Sequence, residues 1–245
     1  VTYNEAEGLV PALLVYRTFL EATNATQLIV PDVSIREGIL MSLALGDDKS
    51  IDSDVYKQVI ASALSLGRKY HFDEAHGQHV AKLGLMLFDQ LKSDHGLDQH
   101  MRMLFEVACL VHDIGNFVRV SGHHKHSQYI VANSEVFGFS RDDIRIVSNV
   151  VRYHRKNAPS MSHPSYASLH RDQRMAVLKM SALLRVADAM DRGHVQRIRN
   201  FSVELLEEDL LLHCDYSGDV TVERYGLETK GRLFEDVFGY RVAIT

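Results

Sequence analysis

The chain has 245 residues, of which 46% are hydrophobic and 24% are charged, and its formal net charge is −5. These proportions are those of a globular protein, and they exclude a disordered chain and a collagen-like repeat. The acidic balance offers no general surface for nucleic acid, and no run reaches the ~20 apolar residues that a membrane span needs. Because only 15 residues are glycine and 4 are proline, the composition favours a mainly helical fold.

Residues 1–46 predict a helix, a short strand at 27–31 and a second helix at 37–45. One strand between two helices cannot form a sheet layer of its own. We therefore expect this segment to be the end of an α/β domain whose earlier part is absent from the sequence. A helical appendage that packs on the following residues is the alternative.

Residues 50–195 predict a helical domain. Its candidate helices are 51–69, 73–94, 98–113, 125–134, 141–156 and 171–191. Asp73 is expected to cap the second of these, and Ser140 with Asp143 has the spacing of a capping box before the fifth. The proline-containing stretch 157–170 predicts an irregular loop.

Residues 200–245 predict a small α+β domain. Its expected elements are strands at 201–205 and 210–214, a helix at 220–238 and a closing strand at 240–244. The two cysteines, Cys109 and Cys214, lie beside apolar runs. We expect both to be buried reduced thiols in a cytoplasmic protein.

Histidine is abundant, with 14 residues, and several polar groups fall on the apolar faces of the predicted helices. These are His79, His112, Asp113, His154 and Asp188. A buried carboxylate is unfavourable unless it is paired or binds a metal ion. Taken singly, each histidine could be a hydrogen-bonded core residue, and Asp188 could pair with Arg185 or Arg192. Because the five groups come from four helices, we expect them to converge on a divalent metal ion.

The types of donor narrow the choice of ion. Imidazole and carboxylate without thiolate suit Mn²⁺, Fe²⁺, Zn²⁺, Co²⁺ or Mg²⁺. Residues 121–126 add three further histidines, for which a solvated loop is the alternative. Among them His126 is the preferred ligand, since a predicted helix continues directly after it. With His154, and with Asp113 as a bridge, the chain would have enough ligands for a second ion.

Basic residues close in sequence to these candidates predict an anionic substrate. They are Lys125, Arg152, Arg155, Lys156 and Arg192. Guanidinium groups bind phosphate oxygens in a bidentate way, and lysine acts as a point charge. Arg155 and Lys156 could instead complement the dipole at the end of a helix. Lys125 and Arg152 are therefore the preferred groups for neutralising charge on phosphoryl oxygens.

The order of the candidate ligands resembles that of the HD-domain metal phosphohydrolases. That superfamily carries a histidine on one helix, a His-Asp pair at the end of another and an aspartate on a later helix. The matching residues are His79, His112, Asp113 and Asp188, with His126 and His154 where two-metal members carry further histidines. His76 is a rival for the first position, and His79 is preferred because it shares the apolar face of its helix.

A closer resemblance, to the Ppx/GppA family of exopolyphosphatases and guanosine pentaphosphate phosphatases, covers nearly the whole chain. Four segments carry it: SIREGIL at 34–40, GHHKHS at 122–127, RYHRK at 152–156 and LRVADAMDR at 184–192. The resemblance implies that 1–46 are the remnant of an actin-like lobe, 50–195 an HD-like domain and 200–245 a final α+β domain. The lobes that hold the family's glycine-rich phosphate loops and catalytic carboxylate are nearly all missing here. The family's exopolyphosphatase chemistry is therefore not assigned to this sequence through those groups.

The sequence thus predicts a metal-dependent phosphohydrolase of HD type that acts on polyphosphate or a phosphorylated nucleotide. Asp113, Lys125 and Arg152 are expected to take part in the chemistry, with one or two divalent ions. The missing actin-like lobes are expected partners, and a homodimer is a further expectation. The alternative is a non-catalytic module for polyphosphate or nucleotide binding, regulation and dimerisation. A third hypothesis is a helical scaffold whose histidines are ordinary core residues.

Overall fold

The computed structural model describes residues 3–23, 25, 27 and 49–245. The chain divides into two compact units, Val1–Lys49 and Ser50–Thr245. The first unit contains helix α1, Tyr3–Ala22, with Pro11 inside it, which confirms the helix expected near the start of the sequence. The strand predicted at 27–31, apart from its first residue, and the helix predicted at 37–45 lie outside the described residues.

The second unit is mainly helical up to residue 190, which confirms the mainly α class. Its helices are α2 (Lys49–Lys69), α3 (Glu74–Gln90), α4 (Lys92–His95), α5 (Gln99–Val111), α6 (His123–Ala132), α7 (Arg141–Arg152), α8 (Pro164–Ala167) and α9 (Arg171–Met190). A 3₁₀ turn at Ile114–Phe117 follows α5. The predicted loop at 157–170 contains the short helix α8.

Both predicted helix caps are confirmed. The Asp73 side chain accepts a hydrogen bond of 3.1 Å from the backbone N–H of His76, so it caps α3. Ser140 and Asp143 bond reciprocally as a capping box at the start of α7. Each cap satisfies backbone donors that the first turn of a helix leaves free, and it fixes where the helix begins.

Helix α9 is the central element of this unit. It packs against α3, α5 and α7, and its residues from Met180 to Met190 are all buried. A helix that is apolar on all sides is stable only inside a protein, which explains the nearly charge-free run in this part of the sequence. Burial of large side chains such as Leu183 and Leu184 stabilises the core by about 1.5–3 kcal/mol each.

Two glycines allow the close contacts that bring separate elements together. A Cβ added at Gly77 of α3 would lie 2.8 Å from the carbonyl oxygen of Leu110 in α5. A Cβ added at Gly115 would overlap the carbonyl oxygen of His123 at the start of α6. Both contacts involve backbone atoms, which cannot move aside as a flexible side chain can. Glycine is therefore required at these two crossings.

The remaining residues form a small α+β region that packs on α9. Its elements are β1 (Ile198–Leu205), β2 (Asp209–Tyr216), α10 (Thr221–Lys230), α11 (Arg232–Phe238) and β3 (Arg241–Ile244). Strands β1 and β2 are antiparallel, with Phe201 opposite Cys214, and β3 runs parallel to β2. The single helix predicted at 220–238 is divided at Gly231. Gln90 of α3 hydrogen-bonds the backbone of Val203, which ties β1 to the helices.

Two further sequence expectations have outcomes in the structure. Cys109 and Cys214 are both free thiols; Cys109 is buried and Cys214 is only half-buried. Burial raises the pKa of the Cys214 thiol to about 12, so it is protonated at neutral pH. Among the helices that the structure describes, none is both long enough and apolar enough to cross a bilayer.

Candidate metal centre

Six side chains from five elements meet where α3, α5, α7 and α9 pack together. They are His76 on α3, His112 and Asp113 after α5, His123 on α6, His154 after α7 and Asp188 on α9. The donor atoms of His76, His112 and Asp188 all lie within 4.8 Å of one another, and so do those of Asp113, His123 and His154. Each group of three has a spacing suited to one metal ion.

All four histidines are held in the same orientation. Three of them place Nδ1 against the carbonyl oxygen three residues earlier: His112 on Cys109 (2.8 Å), His123 on Val120 (2.9 Å) and His154 on Val151 (2.7 Å). The fourth, His76, places Nδ1 2.8 Å from a carboxylate oxygen of Asp191. Carbonyl and carboxylate oxygens only accept, so each Nδ1 carries the hydrogen and each Nε2 keeps a lone pair.

The Nε2 atoms face one another without donors between them. Nε2 of His123 lies 3.1 Å from Nε2 of His154, and these atoms lie 3.0 and 3.3 Å from Oδ1 of Asp113. Two lone pairs at that distance repel unless a proton or a cation lies between them. Nε2 of His76 and of His112 are buried and have no hydrogen-bond partner. Buried nitrogens without a partner are rare in proteins, and a metal ion would satisfy both.

The protonation states of His112 and Asp113 are those that a cation requires. Burial lowers the pKa of His112 to about 4, so its ring is neutral at pH 7. Burial alone would raise the pKa of Asp113, but the surrounding imidazoles outweigh it and hold that pKa well below its usual range. His76 differs, because burial alone would lower its pKa whereas the carboxylates of Asp191 and Asp188 raise it overall, so a metal ion at His76 competes with a proton. Neutral imidazoles beside ionised carboxylates are the forms that bind metal.

The predicted ligands divide into two groups. The structure brings His112, Asp113, His154 and Asp188 together, and it leaves His79 and His126 outside both three-residue groups. His76 takes the place expected for His79, and His123 takes the place expected for His126. In each case the two histidines lie three positions apart on one helix face, so helical periodicity could not separate them. The signal in the sequence that favours His76 over His79 is the neighbouring Gly77. Glycine marks a place where two helices cross closely, and a residue next to such a crossing points into the interface between them.

Three neighbouring residues complete the cluster, and sequence reasoning had missed all of them. Asp191 also accepts the backbone N–H of Gln196 at 2.8 Å, which fixes the carboxylate that orients His76. The exposed ring of His194 stacks on His76 with the centroids 3.7 Å apart. Lys230 on α10 forms an ion pair with Asp188, whereas the alternative to metal binding in the sequence analysis named Arg185 or Arg192 as the partner. Burial alone would raise the pKa of Asp188, but Lys230 and the nearby imidazoles lower it below its usual range.

Arg185 has a different role, which is to hold the chain around His154. Its Nε donates to the carbonyl of Tyr153 at 2.8 Å. One Nη donates to the carbonyls of Lys156 and Asn157 at 2.9 and 2.8 Å. These acceptors lie on both sides of His154 in sequence, so a buried guanidinium on α9 sets the position of a candidate ligand that follows α7.

A rim of positive charge lies beside the Asp113–His123–His154 group. Arg155 places a guanidinium nitrogen 3.4 Å from Nε2 of His123, and Arg152 is held by the side-chain oxygen of Gln128 at 2.7 Å. A small cavity next to these residues is lined by His124, Lys125, Arg152, Tyr153, Arg155, Asn157 and His163. Burial and the neighbouring cationic groups lower the pKa of His124 to about 4.

The cations of this rim lack acidic partners. Within the part of the chain whose side chains are described, Lys125, Arg152, Arg155 and Lys156 form no salt bridge with a carboxylate. Arg192, also predicted to bind substrate, is exposed just after α9 and outside the lining of the cavity. In a chain of net charge −5, such a concentration of unpaired positive charge is a local feature suited to an anionic ligand.

The fold and this site define a mainly helical protein with a buried histidine–aspartate cluster next to a cationic rim. Residues 60–224 match the family described as Ppx/GppA phosphatase, domain III. The chain therefore belongs to the Ppx/GppA phosphatase family, as its sequence motifs had indicated.

Curated relatives give the same family. The chain is similar to the guanosine-5'-triphosphate,3'-diphosphate pyrophosphatase of Pseudoalteromonas translucida, at 30% identity over 126 residues, which are 51% of this chain and 24% of the relative. It is 21% identical over 194 residues to the protein of the same name from Photobacterium profundum, which covers 78% of this chain and 37% of that relative. The chain thus matches well under half the length of either relative.

Proposed function

We propose that this chain is a phosphohydrolase region of the Ppx/GppA family, with a metal centre of HD type. The observation that carries the proposal is the convergence of four Nε2 lone pairs on two ionised carboxylates. His76, His112 and Asp188 would hold one divalent ion, and His123 and His154 a second, with Asp113 shared between them. A divalent cation at this place supplies Lewis acidity toward a phosphoryl oxygen and a source of hydroxide at neutral pH.

The cationic rim favours a phosphate-bearing substrate. Arg155 and Arg152 present guanidinium groups next to the Asp113–His123–His154 group, and Lys125 adds a point charge. Together they would bind and orient phosphoryl oxygens and neutralise the charge that develops there during hydrolysis. Lys156 and Arg192 would attract the same anion from further out, because both are exposed.

The substrate class follows from the rim and from the names of the relatives. Proteins named guanosine-5'-triphosphate,3'-diphosphate pyrophosphatase match this chain, so a phosphorylated nucleotide or polyphosphate is the proposed substrate. Because the relatives are much longer, we propose that actin-like lobes of the same family act together with this region. A homodimer of the chain belongs to the same proposal.

One observation favours a second candidate function. Asp188 already has a cation, Lys230, as its partner. A cluster that neutralises itself in this way could serve as a structural centre under a rim that only binds anions. The chain would then be a non-catalytic module that binds polyphosphate or nucleotide for regulation and dimerisation.

The test is phosphate release from short polyphosphate and from a guanosine 5'-triphosphate,3'-diphosphate substrate in the presence of Mn²⁺. We expect release by the unmodified chain, loss with chelator and loss in Asp113→Asn. Asp172→Asn is the matched control, because Asp172 is exposed in the first turn of α9, at the opposite end of that helix from Asp188. If no phosphate is released while Arg155→Gln still weakens polyphosphate binding, the binding module is the correct function.

A further inference from the structure

Lys230 places a positive charge inside the candidate metal centre. It is the last residue of α10, and its Nζ forms an ion pair with Oδ2 of Asp188. The side chains of Lys230 and Asp188 are only 13% and 6% exposed. Gly226 makes this approach possible, since a Cβ added there would lie 3.2 Å from the carbonyl oxygen of Ala189 in α9. Lys230 lies beyond residue 224, where the family match ends.

The two oxygens of Asp188 have different environments. Oδ2 is occupied by Lys230, whereas Oδ1 lies 3.7 Å from Nε2 of His76 and 4.0 Å from Nε2 of His112. Both imidazole distances are too long for hydrogen bonds. Lys230 is therefore the close partner that compensates the buried carboxylate, and such a carboxylate without a partner would be strongly destabilising.

We propose that Lys230 is a built-in counter-cation that competes with a divalent ion for Asp188. The proposal rests on the proposed function, because it assumes that His76, His112 and Asp188 bind metal. The positive charge of Lys230, next to the Asp188 carboxylate, repels an incoming divalent cation. It also cancels part of the negative charge that would attract that cation. In the group of Asp113, His123 and His154, no described lysine or arginine pairs with the carboxylate, because the neighbouring guanidinium of Arg155 lies 3.4 Å from Nε2 of His123 instead. That group is therefore filled first, and the Asp188 group is the weaker site.

The test measures Mn²⁺ binding by isothermal titration calorimetry on the full chain after chelator treatment. In Lys230→Met and Lys230→Gln we expect the weaker Kd to fall by about tenfold or more, with the tighter Kd unchanged. Lys230→Arg keeps the charge and should retain both constants. A change from one bound ion in the unmodified chain to two in Lys230→Gln would support the proposal equally.

Thermal unfolding supplies a readout that a merely structural role would not give. Without metal, Lys230→Met and Lys230→Gln should have a lower Tm, because Asp188 is then buried without a counter-charge. Saturating Mn²⁺ should recover that loss and give a larger upward shift than in the unmodified chain. Lys179→Met is the matched control, because Lys179 lies on α9 and donates to the carbonyl of His95 instead. The Tm of Lys179→Met should be lower than that of the unmodified chain by the same amount with and without Mn²⁺.

The two possible failures can be distinguished. If the unmodified chain binds Mn²⁺ and both neutral variants keep its constants or bind more weakly, the counter-cation inference is overturned and the proposed metal centre stands. If neither the unmodified chain nor any Lys230 variant binds Mn²⁺, the proposed function itself fails. Because glutamine can still hydrogen-bond the carboxylate, Lys230→Gln decides the matter should Lys230→Met not fold.

Discussion

Replacing Arg185 with methionine removes the guanidinium that holds the chain around His154. Arg185 donates three hydrogen bonds, to the carbonyls of Tyr153, Lys156 and Asn157. Bonds from a charged donor contribute about 2 kcal/mol each, so the three together contribute about 6 kcal/mol. Burial lowers the pKa of Arg185 to about 10, so the guanidinium is still charged at neutral pH and its desolvation offsets part of this contribution. The net loss expected for Arg185→Met is therefore about 3 kcal/mol.

Urea denaturation followed by circular dichroism measures this loss as a change in the free energy of unfolding. The matched control is Arg174→Met, since Arg174 is on the same helix but its guanidinium donates to one carbonyl, that of Leu169. We expect about 1 kcal/mol for the control, because Arg174 is only half-buried and solvent weakens its single bond. Because Arg185 positions His154, its variant should also bind Mn²⁺ more weakly. An Arg185→Met chain that is as stable as Arg174→Met and keeps its Mn²⁺ affinity would refute the reasoning.

Three further predictions concern single residues. His76→Gln should weaken Mn²⁺ binding by at least about tenfold, whereas His79→Gln should leave it unchanged, and equal effects in a calorimetric titration would contradict the assignment. Gly115→Ala should destabilise the fold by about 3 kcal/mol in chemical denaturation, because the new Cβ meets backbone atoms of His123 and Ser127; an unchanged midpoint would show that α6 can shift freely. His95 should make stability fall as the pH drops through the ordinary histidine range. Burial lowers its pKa in the fold, so below about pH 6.5 the unfolded chain takes up the proton first. In His95→Gln the loss of unfolding free energy between pH 7 and 5.5 should be smaller than in the unmodified chain.

Most of the helical architecture was predictable from the sequence, because it depends on local signals. Caps such as Asp73 and the Ser140–Asp143 box act within four residues, and apolar periodicity extends over a single helix. Because these signals are local, the sequence predicted a single helix at 220–238 and missed its division at Gly231. That division depends on how α10 and α11 pack on α9.

The sequence predicted that histidines and aspartates form a cluster, but it predicted only some of the residues in that cluster. Periodicity shows which helix face is buried, but it cannot choose between His76 and His79, which share that face. The ion pair between Asp188 and Lys230 spans 42 residues and two different structural regions, so the alternative that paired Asp188 with Arg185 or Arg192, its neighbours in sequence, named other partners. Contacts of this kind are fixed by helix crossings, and a single sequence carries little information about those.

The most direct test of the central claim is the metal content of the purified chain after loading with Mn²⁺ and removal of excess ion. Elemental analysis should find one or two bound ions in the unmodified chain and none in Asp113→Ala, while circular dichroism shows nearly the same helicity for both. Asp113 is the residue shared by the two proposed ion positions, so its removal should empty both. An unchanged ratio of metal to protein in Asp113→Ala would contradict the account.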